Sequence, residues 1–501
     1  MSIAGSFLEW IDRPNSHKIY FADMRLAQLS VSAGTPETVA FYAATEDFLP
    51  PPGSIIEYDG YLAGIPRYER RMQEVFFGRS FPSFGQLTLH NDKGTLDELF
   101  SKSFTKDQDI TIRLGGPPSE LRYAHFGTVL HGIMGQQILH DDTIDIPVFD
   151  DQRKFKRRIP TDTFTVDSEG TNFPSGSAVP APLIYGEVHN IKPILVDKAL
   201  LKYKVANHAV QAIGTVYDNG ININNNVTVN LNDGSFTLNA QSVGEVTADV
   251  LGRKHPNGAY SGSIGDVVEA LLIQEARFSN DNIDQACIKQ FKTDVPYTVG
   301  VFIDTPTTIL DVLDELTRGL LVFYGISRIG KFQIKKFTPP SGDPKIIFAD
   351  DVEILEPEIT YTEPFWQVQL GFDRNYTVLP TNSVAGSVTF ERRAWLSQPL
   401  RHILVEKTST KDLFNFSEAE SVIETSLVRS TDATTVANDR LAIVERSRKI
   451  IIAPFGVQPT QLDLGDVVEL TRTRYNVSGK FKVIGIQEDY IENQITLELF
   501  Q

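Results

Sequence analysis

Turn chemistry recurs along this sequence at short intervals, and that punctuation constrains the fold more than any other feature. Asp218-Asn219-Gly220 and Asn232-Asp233-Gly234 bracket a run in which Ile221, Ile223, Val227, Val229 and Leu231 are apolar at alternate positions. Tight hairpins need positive φ at their turn residues, which Gly, Asn and Asp supply at little steric cost. Across the chain, 35 Gly and 27 Pro break the sequence into short alternating segments, while Met is rare at 4. A chain so interrupted predicts many short strands, a mainly β class.

At 501 residues the chain exceeds what one hydrophobic core organises, so roughly three or four domains are expected. Its 47 basic and 64 acidic side chains leave a formal charge of −17, which argues against a general nucleic-acid binder, since neutralising phosphates needs surplus Lys and Arg. The one cysteine, Cys287, excludes an intramolecular disulfide and a thiolate metal cluster. No stretch approaches the ~20 apolar residues of a membrane helix, and Met1 to Asn15 lacks a leader's basic start and apolar run. A soluble protein made in the cytoplasm is expected.

Met1 to Arg79 is hard to read, and three consecutive prolines, Pro50 to Pro52, mark a loop there. Short strands are predicted at Ser54 to Tyr58, Glu74 to Phe77, Gly85 to His90, Ile110 to Leu114, Thr128 to Met134 and Asp145 to Val148, with a short helix over Thr95 to Phe104. Ser, Gly, Pro and Thr fill Asp167 to Pro182, a connector. Strands at Lys202 to Val205, Gln211 to Tyr217, Ile221 to Asn232 and Ser235 to Asn239 then form a meander. Ser263, three residues before Asp266, reads as the cap of a helix carrying Ile264, Val267, Val268, Leu271 and Leu272 on one stripe. Thr308 reads as the cap of a second helix, with Ile309, Val312, Leu313 and Leu316 apolar and Gly319 at its stop. Both pack on strands at Val299 to Ile303 and Leu321 to Phe337, which makes the middle block α+β.

Pro339-Pro340-Ser341-Gly342-Asp343-Pro344 is the strongest boundary signal, and a new domain starts near Lys345. Beyond it, strands are expected at Trp366 to Arg374 and Thr389 to Ala394. A helix is expected from Ser417, boxed by Glu420, and another through Ala437, Leu441 and Val444. Strands follow at Lys449 to Ala453, Asp466 to Leu470, Lys480 to Gln487 and Gln494 to Phe500, the last two joined at Glu492-Asn493.

No catalytic constellation stands out. Gly325 to Lys331 has the glycine spacing of a phosphate-binding loop, but Phe332 replaces the Ser or Thr that holds magnesium and a strand follows, so a hairpin turn is expected. Among nine His, only His140-Asp141-Asp142 with Asp145 clusters tightly with carboxylates; a solvated turn is the usual outcome. Asp281-Asn282 with Asp284 lacks the glycine of a calcium loop. Ser261-Gly262-Ser263-Ile264-Gly265 has Ser where a nucleophile elbow needs its first Gly. Cys287, between Ala286 and Ile288, is expected as a buried thiol. The basic run Arg153 to Arg158 lies beside Asp150, Asp151 and Asp162 and is expected as a mixed-charge face, with phosphate or an acidic partner as the alternative. Trp10, Trp366 and Trp395 are too dispersed for a sugar platform. Catalytic, cofactor-binding and metal residues are therefore all expected to be none.

The order of patterns carries a resemblance. Phe84-Gly85-Gln86-Leu87-Thr88-Leu89-His90-Asn91-Asp92-Lys93-Gly94-Thr95-Leu96-Asp97 resembles a strand, Asn-Asp turn, Gly and Leu-Asp arrangement of tail hub proteins of long-tailed bacteriophages and related gene transfer agents. Ile110 to Leu114 with Gly115-Gly116 is similar to the same family. So is Pro182-Leu183-Ile184-Tyr185-Gly186, leading through Val188-His189-Asn190-Ile191-Lys192-Pro193 to Tyr203 and the Ala212 to Asn219 strand and turn. Leu464-Gly465-Asp466-Val467-Val468, Tyr475, Gly479-Lys480-Phe481-Lys482-Val483 and Gly485-Ile486-Gln487-Glu488-Asp489 resemble its closing barrel strands. The likeness runs from about Val75 to the end, and Met1 to Glu74 carries less of it.

The resemblance implies two tube-like β-barrel domains plus a peripheral α+β domain. The divisions would be residues 1–182 with the first barrel, 183–344 as the insertion, and 345–501 as the second barrel with helices. It implies a structural, non-enzymatic homotrimer in the virion tail, a hub or tail tip of the baseplate without cofactor. Partners would be the distal tail protein or tail tube protein, fibre or spike proteins and the tape-measure protein, with no stable membrane insertion. Genomic DNA would pass through its lumen during ejection without sequence-specific binding, and the hub would gate its exit. The competing readings are a receptor-binding tail tip protein and a virion-associated cell-wall hydrolase. The hydrolase would need paired carboxylates or a His-bound zinc in a pocket.

Overall fold

The computed structural model describes the chain except residues 1–3, 14–15, 30–35, 51–55, 74–77, 166–177, 350–355, 415–418, 456–460 and 490–493. The strand expected at Glu74 to Phe77, most of the connector at Asp167 to Pro182, Ser54 and Ser417 lie outside the described residues. So do Pro51, Pro52 and the Glu492-Asn493 turn.

The chain is mainly β, with several sheets and a few helices. In the first sheet the order is Pro36–Ala44, Ile19–Leu29, Asp109–Gly115, Gly127–Met134, Thr143–Phe149, Gln86–His90, Leu62–Gly64. This sheet curls on itself. The backbone just before its last strand returns to its first: Ala44 donates to the Asp59 carbonyl at 2.8 Å, and Phe48 and Tyr58 exchange bonds at 2.9 and 3.1 Å. Alternation gives the sheet two apolar faces. Ala22, Met24, Leu26, Ile110, Ile112, Leu114, Ile144 and Ile146 fill its interior. Phe21, which stacks edge-on against Phe48 and Tyr58 at 5.0 Å, builds a smaller aromatic core outside.

A ten-stranded sheet gathers strands from distant parts of the sequence. Its path runs Phe332–Lys336, Val322–Ile326, Gly78–Phe84, Tyr68–Met72, Val477–Asp489, Gln494–Phe500, Lys449–Phe455, Glu358–Tyr361. Val467–Arg472 joins Val477–Asp489 on one side and Ile346–Ala349 on the other. The closing strands follow their expected positions closely. Tyr68–Met72, which pairs with Val477–Asp489, and its neighbour Gly78–Phe84 come from the opposite end of the sequence.

A five-stranded sheet (Ile221–Asn222, Val210–Asp218, Val246–Arg253, Leu183–Ile191, Gly300–Ile303) and a four-stranded one (Ile194–Asp197, Lys202–Lys204, Ser235–Leu238, Val227–Asn230) enclose a shared core around Ile184, Val188, Phe236 and Val250. Helices Ile264–Gln274, Gln285–Asp294 and Ile309–Thr317 pack with the hairpin Val322–Lys336, the strand Gln367–Phe372 and the helix Ser430–Val444 into the largest core. Both expected caps form. Ser263 Oγ accepts from the Asp266 amide at 3.4 Å, and Thr308 makes a reciprocal capping box with Asp311. Arg401–Glu406, Gln367–Phe372 and Ile423–Glu424 form a small sheet covered by that last helix.

Three expectations are corrected, and one helix is new. Thr389 to Ala394 is not a strand: Thr389 accepts from the Arg392 amide and starts the helix Phe390–Leu396, a cap outweighing the run's β propensity. No helix runs through Glu420. Its carboxylate is taken by Arg440 of the helix Ser430–Val444, which is the separate helix expected through Ala437, Leu441 and Val444. The strand expected over Ile221 to Asn232 is broken by a 3₁₀ turn at Asn224–Asn226, where Asn224 bonds the amide of Val216 and the carbonyl of Gly214. Asp284 caps the helix Gln285–Asp294, whose buried face of Ile288 and Phe291 is too sparse to show as a stripe in the sequence.

Candidate functional site

The Gly325 to Lys331 stretch is the turn of a β-hairpin, as expected: Ser327 donates to the Lys331 carbonyl at 2.7 Å, and Gly330 takes φ +75°. Its tip reaches across to the first sheet, where the His131 amide donates to the Arg328 carbonyl at 2.7 Å. A β-carbon at Gly330 would lie 2.3 Å from the His131 ring, so glycine is required by space as well as by φ.

Arg328 turns back from that tip into the junction of the two large sheets. Its two terminal nitrogens grip both carboxylate oxygens of Glu488 at 2.8 Å each, and one also donates to the Val129 carbonyl at 3.2 Å. The guanidinium carbon lies 4.4 Å from the centre of the Tyr68 ring. Tyr68 and Glu488 are register partners on adjacent strands of the ten-stranded sheet, while Val129 belongs to the first sheet. Glu488 is fully buried and the Arg328 side chain is 10% exposed. A second pair stands nearby: Arg70 holds Asp463 at 2.7 Å. Burial alone would raise the Asp463 carboxyl, but Arg70, Lys335 and Arg328 overcome it and hold it below the usual carboxylate range. Buried pairs add little net stability over apolar packing, yet breaking one is costly, so such a junction fixes a single orientation. It is a clamp between sheets.

A second polar knot centres on His189. Its Nδ1 faces Asp373 at 2.6 Å and its Nε2 faces Glu187 at 3.1 Å. Arg429 binds Glu187 at 2.6 Å, while Asp373 also receives the Trp395 indole at 3.1 Å and the Arg401 guanidinium at 3.3 Å. Burial would lower the His189 pKa, but the two carboxylates raise it to about 9. With both nitrogens donating, the ring is an imidazolium cross-link and has no lone pair with which to accept a proton. His208 is the opposite case, pushed down to about 4 by burial, with Nε2 accepting from the Ile184 amide.

The other residues singled out in the sequence are dispersed. Among the described residues His140 pairs with Asp145 alone, at 3.2 Å, and Asp145 also accepts from Thr88. Among the described residues no group of three metal-ligating side chains forms. Ser263 is a helix cap whose hydroxyl donates to Asp266. Cys287 is half-buried rather than buried, its thiol donating to the Ile334 carbonyl at 3.1 Å and pushed up by burial. The basic run Arg153 to Arg158 begins in the 3₁₀ turn Asp151–Lys156 and ends in the strand Arg158–Ile159, with mixed pairing, Arg153 to Asp107 and Lys154 to Asp151. Trp10 is buried and donates to Glu120; Trp366 lies under Lys411. Sequence reasoning missed the roles of Arg328, Glu488, Arg70, Asp463 and Asp373. Arg328 lay in the two-glycine turn, Glu488 in the run resembling the closing barrel strands and Asp373 in an expected strand, but nothing in those stretches marked the pairing.

No family model matches the chain, and no curated protein matches it. Among solved structures it is similar to a tail protein from Neisseria meningitidis MC58, at 9% identity and TM-score 0.37, over 96% of each chain. It is also similar to the prophage MuSo2 43 kDa tail protein from Shewanella oneidensis, at 9% identity and TM-score 0.39, over 97% of this chain and 96% of that one. A third likeness is to the prophage tail protein gp18 from Listeria monocytogenes EGD-e, at 8% identity and TM-score 0.31, over 96% and 94%.

Proposed function

We propose that this chain is a structural subunit of a bacteriophage tail, a hub that assembles as a ring of three at the distal end of the tail tube, carries fibre or spike proteins and gates DNA exit. In this reading the curled first sheet and the C-terminal strands of the ten-stranded sheet are the two tube-building barrels. The 183–344 segment is their peripheral insertion. The ordered resemblance in the sequence supports it, and so does the clamp, which suits a part that transmits force between rigid sheets. One observation carries the assembly itself. Ile346–Ala349 and Glu358–Tyr361 each pair on one side only among the described residues, and they leave Ile347 63% and Tyr361 58% exposed. Unpaired edges bearing apolar side chains invite another chain and are safest inside a closed ring.

Native mass measurement together with electron micrographs tests this. Three copies around a central opening, lost on Ile347→Lys with Tyr361→Lys, support the hub. A compact monomer with peptidoglycan-releasing activity overturns it.

A further inference from the structure

The basic run Arg153 to Arg158 plays no part in that reading, yet it borders a cavity of about 470 Å³. Arg153 and Lys156 line it from the 3₁₀ turn, Arg79 from the strand Gly78–Phe84, and Phe149 and Leu310 supply apolar walls. Asp150 also lines it, and its Oδ2 is buried with no hydrogen-bond partner among the described residues. Asp150 is thus the one acid lining the cavity beside Arg79, Arg153 and Lys156, and Arg79 also faces Asp314 at 3.4 Å. Arg153 commits Nη1 to Asp107 at 3.0 Å, and Lys156 is exposed and makes no ion pair among the described residues. We propose that this cavity takes a tetrahedral oxyanion, the phosphate of a small phosphorylated molecule or of a nucleic-acid backbone, held by Lys156 and Arg153 with a hydrogen bond from the Asp150 carboxyl.

The chemistry fits an anion in preference to a cation. Three positive side chains line the cavity with one acid, and burial, reinforced by Asp151, pushes that acid up to about 7 against the opposing pull of the Gln152 backbone amide, Arg70 and Lys156. Near neutrality Asp150 is therefore half protonated, and a neutral carboxyl donates a hydrogen bond to an oxyanion without repelling it.

Calorimetric titration of the intact protein with inorganic sulfate, which does not titrate in this range, tests the site. Between pH 6 and pH 8 the protonated fraction of an acid with pKa near 7 falls about tenfold, so sulfate affinity should fall about tenfold in the native protein. It should stay flat in Asp150→Asn, whose amide donates at every pH. Lys156→Gln, an exposed change that leaves the fold intact, should weaken sulfate at both pH values. Inorganic phosphate and a short single-stranded oligodeoxynucleotide separate the two sources: tighter binding of the oligonucleotide assigns a backbone phosphate, and phosphate binding alone assigns a small ligand. Absence of sulfate and phosphate binding at millimolar concentrations, or sulfate affinity indifferent to Lys156→Gln, overturns the proposal.

Discussion

Replacing Arg328 by methionine keeps most of the side chain's length and removes its charge, which leaves the fully buried Glu488 carboxylate without its guanidinium. Breaking a buried pair in this way costs ~3–5 kcal/mol, and Glu488→Leu should cost a similar amount from the other side. The double variant Arg328→Met/Glu488→Leu should cost only ~2 kcal/mol, because the remaining loss is chiefly the hydrogen bonds to the Val129 and Leu462 carbonyls. The cycle then returns a coupling of several kcal/mol, well above the ~0–1 kcal/mol of surface pairs. A chain of several cores need not unfold in one step. The assay is therefore amide exchange, read at Val129 to Ile133 and at Ser327 to Lys331, the two stretches that the clamp joins. Each single variant should speed exchange at both stretches while leaving the 183–253 sheets unchanged. A coupling below ~1 kcal/mol, or exchange at His131 unaffected by either single change, would refute the clamp.

Three further outcomes are expected. The Asp150 carboxyl is raised in the folded chain from 3.8 to about 7, so stability falls as pH climbs between those values and is flat above; Asp150→Asn should abolish that slope in urea titrations and stabilise the protein at pH 8, by on the order of 2 kcal/mol. His189 is raised from 6.5 to about 9, so its contribution is full below pH 6.5 and gone above 9: His189→Gln should loosen amide exchange near Asp373 and Asn375 at pH 6 and change little near pH 10. Gly330→Ala, strained at φ +75° and 2.3 Å from the His131 ring, should cost more than the ~1–2 kcal/mol of left-handed backbone alone, read as a lowered unfolding midpoint with exchange accelerated at His131.

What the sequence revealed about the fold divides by range. Features set by a few neighbouring residues were legible: the capped helices at Ser263 and Thr308, the hairpin turn before Phe332, and the alternation from Val467 to Phe500. The strands Ile19–Leu29 and Pro36–Ala44 were not, because both faces of the first are covered and its apolar residues do not simply alternate with polar ones. Thr389 misled because a β-branched residue is as good a cap as a strand member. The clamp was illegible for a different reason. Arg328 and Glu488 stand 160 positions apart, and a lone Arg in a turn and a lone Glu in a strand each look like solvated surface. The same holds for His189 and Asp373, separated by 184. The oxyanion cavity was half visible, since the basic run stood out but the burial of Asp150 beside it did not.

The ten-stranded sheet also sets an order of events during synthesis. Tyr68–Met72 and Gly78–Phe84 emerge early from the ribosome, yet Tyr68–Met72 bonds to Val477–Asp489, which is made more than three hundred residues later. Until then this early hairpin has one side unpaired, and closing so long a loop is slow. The first sheet can form as soon as Thr143–Phe149 is out, but the clamp waits for Glu488. Folding is therefore gated by the synthesis of Val477–Asp489, and nascent chains lacking it expose an aggregation-prone edge that a chaperone would have to shield.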